Sequence, residues 1–551
     1  MHQVCRPLGL IWLDLWSEKL FRIGVLLKII LIVTLTPIIQ QEWFIPFIVN
    51  WIENPSISPW LGHISNGGDL SSFPYGIIMF VVHLPMTIIG WLFDNLYATD
   101  FFINIFFSLT LIAADILLLL VLLQIFENYW KKVIIFYWLS PLVIFITYWH
   151  GQLDLIPVTI LVYSLSLIKR GNYSLAGIFL AFSIAAKHTM IISFPFIFLY
   201  LWTNNGINKE LQRFLIFFII SLFVVEVPFI LSDAFRLMVL SNLDSQKLYW
   251  LFIEMGDNNF IYLIPLVFAL LLYFFWRIRR VNFDFLLAIL GVAFSIFIIM
   301  TPDTPGWYLW LVPIFTLHQC RYGSGAISLI SIFSFAFITY HIIYTSGASF
   351  ILFDYSLIDI FYFEGLFFKS LHYTIMMSLS LLICIQILRE GIRENDYYML
   401  GNKPLVLGIA GDSGVGKSTF SSGLANVFSG ESLAEISGDD YHNWERSSPM
   451  WRTLTHLNPK ANRLFELIKN VRDLIHGEGI KARYYDHISG RFLPREIKKN
   501  TDIILVEGLH TLYPRQLLEQ LDVRLFIDMD AVSYTHLRAH ETVLDLVCRL
   551  L

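Results

Sequence analysis

The most specific chemistry in this chain lies in nine residues, Gly411-Asp412-Ser413-Gly414-Val415-Gly416-Lys417-Ser418-Thr419. They satisfy the pattern G-x-x-x-x-G-K-[ST] at Gly411, Gly416, Lys417 and Ser418. The apolar run 404–410 before them reads as a buried strand, and 419–428 after them reads as a helix. In that context the glycines let backbone N–H groups close around phosphate oxygens, and the helix N-terminus adds a favourable dipole. Lys417 is expected to reach the β- and γ-phosphates, and the Ser418 hydroxyl to hold Mg²⁺. Residues 411–419 are therefore expected to bind a nucleoside triphosphate, ATP. A glycine-rich turn without a ligand is the alternative, and the strand–loop–helix context argues against it.

A phosphotransferase also needs a metal ligand, a base and an acceptor site. The stretch 435–442 places Asp439 and Asp440 at the end of a second strand, expected beside the strand that leads into the glycine loop. One carboxylate could take a proton from a hydroxyl while the other orients it or binds metal. The stretch 501–510 reads as an apolar strand ending in Glu507, placed to join Ser418 at Mg²⁺. Between them, Arg483, Tyr485 and His487 could contact a phosphorylated or polyhydroxylated acceptor.

Composition says where these elements sit. Of 551 residues, 56% are hydrophobic and only 15% charged, whereas a soluble chain is about a quarter charged. Apolar runs of spanning length recur from Phe21 to Leu388 and then stop. The fold expected is a polytopic α-helical membrane domain over 1–390 with about eleven to thirteen spans. A linker over 391–403 then leads to a soluble α/β P-loop domain over 404–531 with a mainly parallel sheet. Four cysteines without paired spacing support neither disulfides nor a zinc site. The net charge of −5 singles out no partner, and none is expected among nucleic acids.

Basic residues set orientation. Lys131, Lys132, Lys169, Arg170, Lys209, Arg213, Arg277, Arg280, Arg321, Arg389 and Arg393 fall in alternate loops. Taking these loops as cytoplasmic makes the chain an integral, multi-pass protein of the lipid bilayer with its P-loop domain in the cytosol. One conflict remains: Arg6, Lys19, Arg22 and Lys28 also favour the cytoplasm, which gives the wrong parity at Lys131 after spans at 74–95 and 101–124. Either the Pro85-containing segment is not a single crossing, or part of 41–51 re-enters or crosses.

Ionisable residues at membrane depth suggest function by default. They are Asp115, Asp154, Lys187, His188 and Glu226. Asp154 leads, because His150 and Gln152 accompany it where a span meets the outer interface; its bland alternative is a polar helix cap. Asp115 either pairs with another helix or acts. Lys187 is expected to snorkel, with neutralising a phosphate as the alternative.

The motifs His150-Gly-Gln-Leu-Asp154, Gly171 to Gly177, Ala185-Ala-Lys-His188, Phe73-Pro-Tyr-Gly76 and Pro305-Gly-Trp-Tyr308 resemble the multi-span GT-C type glycosyltransferases. The resemblance covers roughly residues 20–390 through short motifs. It implies a polyprenyl-phosphate sugar donor at the outer face and an acid in the first external loop as base. Glu42, Glu53 and Asp69 are available there, and Asp69, shortly before Phe73, is the choice. His150, Gln152 and Asp154 would then contact substrate. The competing reading is a membrane transporter with a cytosolic ATP-binding regulatory domain. The lack of a convincing internal repeat favours the transferase.

The C-terminal motifs are more specific. Asp439-Asp-Tyr-His442 with Trp444-Glu-Arg446, Leu454 to Asn462, Tyr485 to Gly490 and Val506-Glu-Gly-Leu-His510 resemble the phosphoribulokinase/uridine kinase family, from about Leu405 to Asp530. That resemblance implies Asp439 as general base beside Asp440, with Lys417, Ser418 and Glu507 serving ATP and Mg²⁺. It also implies that His442, Arg446, Arg483 and His487 face a sugar-phosphate or nucleoside acceptor. After Asp530 the family continues into an arginine-rich lid, whereas residues 532–551 resemble a translated sequencing-adaptor read-through and are expected to be non-native. A domain lacking its lid is expected to bind ATP weakly and transfer phosphate poorly.

Overall fold

A computed structural model describes residues 8–528 except 206–208, 279–280, 302–303, 345–349, 353–354, 357–364, 402–403, 413, 428–432, 487–488 and 498–502. The tail 532–551, with its expected non-native character, lies outside the described residues, as do Ser413 and His487. The chain divides into two compact units, Met1–Asn395 and Asp396–Leu551.

In the first unit six helices among the described residues are long and apolar enough to cross a membrane. They are Ile77–Tyr97, Phe101–Ile125, Lys209–Ile230, Phe283–Met300, Val312–Tyr344 and Leu366–Asn395. A seventh candidate is the pair Glu127–Trp138 and Pro141–Trp149, bent by 42°. The bend falls at Ser140-Pro141, where proline cannot continue the donor ladder and its ring disfavours a helical residue before it. Four shorter apolar helices, Leu155–Lys169, Tyr173–Ala186, His188–Thr203 and Leu263–Arg277, complete the set. Among the described residues six helices, or seven with the bent pair, reach crossing length, against the eleven to thirteen spans expected from the sequence. Pro85 does not split its segment, because Ile77–Tyr97 is a single helix. The segment expected as a linker, 391–403, is helical as far as Gly401, in the helix Leu366–Gly401.

The second unit is built on β1 (Leu405–Gly411), α1 (Lys417–Val427), β2 (Leu433–Ser437), α2 (Leu464–Ile475), β3 (Ile480–Asp486), β4 (Arg491–Ile497), β5 (Ile503–Glu507) and β6 (Val523–Ile527). Strands β6, β1, β5 and β2 form, in that order, a four-stranded sheet in which every pair is parallel. Parallel strands are covered on both faces, and the sequence obeys that requirement. Val406, Ile504 and Val506 pack on one face with Leu467, Val471 and Leu474 of α2, while Leu407, Ile409, Ile503 and Leu505 pack on the other with Leu424 of α1. One expectation is corrected here. β2 does not lie beside β1; β5 inserts between them. Strands β3 and β4 form a separate antiparallel hairpin.

Candidate active site

Three chain segments meet at Asp154 in the first unit. Its Oδ1 accepts from Lys187 Nζ at 2.6 Å and from Trp310 Nε1 at 2.8 Å, and its Oδ2 accepts from the Tyr75 hydroxyl at 3.0 Å. Asp154 is fully buried and occupies the N-cap position of Leu155–Lys169, yet its side chain makes no capping bond. The helix-cap alternative therefore fails: the carboxylate is committed to side chains of other segments. Lys187 is 8% exposed and ion-paired, which overturns the expectation that it snorkels. Gly306 makes the close approach possible, since a Cβ there would lie 2.7 Å from Gln152 Oε1 and 3.0 Å from Asp154 Oδ2. His150 and Gln152 are buried beside it, 3.2 Å apart through Nδ1 and Nε2. Gly76 N donates to Ala186 O at 3.0 Å, so the Phe73–Gly76 and Ala185–His188 motifs touch through their backbones.

The same unit holds two further contacts between titratable side chains. Asp115 accepts from Lys28 Nζ at 2.7 Å and from the hydroxyls of Tyr137 and Tyr148 at 2.7 and 2.6 Å. It pairs with another helix, the first of its two sequence-level alternatives. His188 Nε2 lies 3.1 Å from Glu226 Oε2. Asp69, by contrast, is exposed, accepts from Ser71 N at 2.6 Å, and is not among the groups that contact Asp154.

In the second unit, the candidate residues gather at the C-terminal ends of β1, β2 and β5. β1 ends at Gly411, and the loop after it turns through Gly414 (φ 89°) and Gly416 (φ 84°). No Cβ contact crowds Gly416. Its glycine is required by the left-handed backbone alone, which aims successive N–H groups into one concavity. Val415 is buried under the loop, whereas Asp412, Ser418 and Thr419 are exposed. Lys417 opens α1, and its Nζ donates to Gly411 O at 3.0 Å and Asp412 O at 2.6 Å. These positive-φ glycines, the helix N-terminus and the lysine at the loop mouth fit a nucleoside triphosphate.

The two adjacent acids after β2 differ in their surroundings. Asp440 is buried, and its Oδ1 accepts from Tyr485 N at 2.7 Å, which ties the β2 end to β3. Asp439 keeps a side chain 38% exposed, with Oδ1 3.6 Å from His442 Nε2. His442 is buried against the rings of Trp451, His456 and Tyr485, with centroids 5.3, 5.4 and 5.4 Å away. Tyr485 is itself 2% exposed and serves as a packing surface, not as an open acceptor contact. Arg483 Nη2 donates to His442 O at 3.4 Å, and its guanidinium sits 4.3 Å over the Phe492 ring. Burial, with Arg463 nearby, lowers the Arg483 pKa from its usual value. Arg446 N donates to Gly490 O at 3.1 Å, which brings the segment after His442 against the tip of the β3–β4 hairpin.

Glu507 closes β5 and accepts from Ser421 Oγ at 2.7 Å. Ser421, this partner of Glu507, stands one helical turn beyond Ser418 on α1, the residue expected to share Mg²⁺ with Glu507. Spacing of i and i+3 from Ser418 was the available signal. His456 falls inside the motif Leu454 to Asn462, whereas Trp451 belongs to none of the motifs; both rings pack against His442.

A glycine loop on a parallel sheet, with an acid at the end of the next-but-one strand, narrows the family. Residues 406–533 match the Phosphoribulokinase / Uridine kinase family. Among curated relatives, the chloroplastic phosphoribulokinase of Triticum aestivum is 31% identical over 158 residues, covering 26% of this chain and 39% of that protein. The phosphoribulokinase of Synechocystis sp. is 33% identical over 128 residues, covering 23% and 39%. The uridine kinase of Bacillus cereus (strain B4264) is 34% identical over 136 residues, covering 24% and 63%. The chain thus spans about two fifths of the phosphoribulokinases it matches and less than two thirds of the uridine kinase. The C-terminal unit is a P-loop domain of the phosphoribulokinase/uridine kinase type. In this domain Asp439, Asp440, His442 and Glu507 lie at strand ends or just beyond them, while Lys417 opens α1 after the glycine loop.

Proposed function

We propose that the C-terminal unit transfers a phosphoryl group from ATP to a hydroxyl of a sugar phosphate or nucleoside, on the cytosolic side of the membrane. The observation that carries this reading is the division of labour between Asp439 and Asp440. A general base must reach its substrate. Asp440 is held by Tyr485 N, whereas Asp439 is half-open and flanked by His442. In this reading Asp439 takes the proton from the acceptor hydroxyl, and His442 holds the carboxylate in orientation. Bound ATP supplies the transferable γ-phosphoryl group, and Mg²⁺ neutralises charge on it. Gly411 to Thr419 hold the phosphates, Lys417 offers its ammonium to them, and Ser418 with Glu507 hold the metal. Arg446 and Arg483 offer guanidinium groups suited to bidentate recognition of a phosphorylated acceptor; His487 joins them in the motif.

Calorimetric titration of Mg²⁺-ATP into the full chain tests the reading. Saturable binding that Lys417→Ala abolishes is the expected result; equal binding by both proteins would refute the P-loop assignment.

A second reading concerns the membrane unit, which we propose is a GT-C-like transferase using a polyprenyl-phosphate sugar. The meeting of Tyr75, Asp154, Lys187 and Trp310 favours it, because four separate stretches of chain contribute to one buried polar centre. Asp69 would act as base, and His150, Gln152 and Asp154 would shape the substrate pocket. Asp69→Asn should remove sugar transfer from a lipid-linked donor in reconstituted vesicles without changing ATP binding. Retained transfer would reject the base, and transport of an unmodified solute would support the transporter alternative.

A further inference from the structure

Between residues 249 and 262 the membrane unit carries a hairpin, apolar in its strands except for Glu254, that stands exposed among the described residues. Phe252–Glu254 pairs antiparallel with Phe260–Tyr262, in the register Phe252 to Tyr262 and Ile253 to Ile261. All six strand residues are exposed, on both faces of the ribbon. Tyr249, Trp250, Leu251 and Met255 continue the exposed apolar run, at 52, 56, 40 and 63%. A two-stranded ribbon is marginal in water and gains nothing by presenting aromatic side chains on both faces.

The next helix in the chain points to the medium that covers the hairpin. Tyr262 leads directly into the apolar helix Leu263–Arg277, and Leu263 N donates to Leu251 O at 3.0 Å, which pins the ribbon to the helix start. That helix also exposes Leu266, Leu270, Tyr273 and Trp276, so exposed apolar side chains carry on from the ribbon along the helix that follows it. Its fifteen residues reach only about 22 Å at 1.5 Å per residue. A hydrocarbon core is about 30 Å thick, and three-residue strands add about 10 Å. The ribbon's outer edges carry backbone groups that lipid tails cannot satisfy. Its place is consequently at the headgroup boundary, where water and headgroups reach those edges and where aromatic rings are favoured. The tip obeys the same logic: Gly256-Asp257-Asn258-Asn259 is polar, with Asp257 and Asn258 at positive φ.

We propose that the 249–262 hairpin is a membrane-interface anchor, inserted among lipid headgroups and upper acyl chains, that completes the short helix behind it.

The test uses the full chain carrying Ile253→Cys, labelled with an environment-sensitive fluorophore and placed in phosphatidylcholine nanodiscs. The lipids bear a nitroxide either at the headgroup or deep in the acyl chain, and the parent chain gives the background from its own cysteines. Blue-shifted emission, quenched more by the headgroup nitroxide than by the deep one, is expected. A label at Asp257→Cys should emit as in water. Water-like emission at 253, or stronger quenching by the deep nitroxide, overturns the proposal. So does blue-shifted emission that neither lipid quenches, which would mean that protein, such as a second copy, covers the hairpin. If Ile253→Cys does not give a monodisperse protein, Phe260→Cys on the facing strand reads the same surface with the same outcomes.

Discussion

Lys187 Nζ lies 2.6 Å from Asp154 Oδ1, and the ion pair they form is enclosed by Tyr75 and Trp310. The ammonium also sits 4.9 Å from the Tyr75 ring centroid and 5.6 Å from that of Trp310. Each charge thus meets its opposite, and the ammonium meets two aromatic rings besides. Breaking a buried pair costs more than never having one, because the remaining charge keeps its desolvation penalty. Lys187→Met should therefore destabilise the membrane unit by about 3–5 kcal/mol, read as a fall in melting temperature in detergent. The double variant Lys187→Met, Asp154→Leu should recover most of that loss. A single variant that melts like its parent would show that the pair is not holding these segments together.

Around Asp115 the test is one of hydroxyls. Tyr137 and Tyr148 both donate to this carboxylate while Lys28 neutralises it. Tyr148→Phe leaves part of a buried carboxylate unsatisfied and should cost about 1–3 kcal/mol. Tyr137→Phe should do the same, and the pair should be non-additive because the groups share one acceptor. Strict additivity in the melting curves would argue against a shared network.

The two acids of the kinase-family domain should separate by function. Asp439→Asn should lower phosphoryl transfer by about 10²–10⁴-fold while ATP binding and melting temperature stay near the parent's. Asp440→Ala should act on the fold instead, because Tyr485 N loses its acceptor, at a cost of about 1–3 kcal/mol. If Asp440→Ala melts normally and Asp439→Asn retains turnover, the assignment of roles fails.

Alkaline pH offers a further check. Burial, the largest cause, pushes the Tyr441 hydroxyl from 10.0 up to about 12, against the opposing effect of its bond from Asn470. Its folded value lies above its unfolded one, so the folded state binds the extra proton between the two. The resulting stability is fully present below pH 10 and disappears as pH rises through about 12. Denaturant unfolding at intervals from below pH 10 up to about 12 should show this loss, and Tyr441→Phe should flatten it. A variant whose stability falls as steeply as the parent's over that window would assign the loss elsewhere.

Much of this molecule is legible in its sequence. The glycine loop, its strand and its helix are local: each is specified by backbone freedom at Gly414 and Gly416 and by apolar runs that only buried strands tolerate. The change from apolar runs to ordinary patterning near Arg389 likewise comes from composition, because lipid and water select different residues. Tertiary structure decided the rest. Nothing in the local pattern says that β5 inserts between β1 and β2, since strand order is set by how crossovers pack on a twisted sheet. Nor could spacing tell Asp439 from Asp440; that distinction depends on Tyr485, 45 residues from Asp440, donating its N–H to it. Lys187 and Asp154 are 33 residues apart, and Trp310 lies 156 from Asp154. Sequence could mark each charge as costly in a membrane, but which partner relieved that cost was a matter of which helices came to lie side by side.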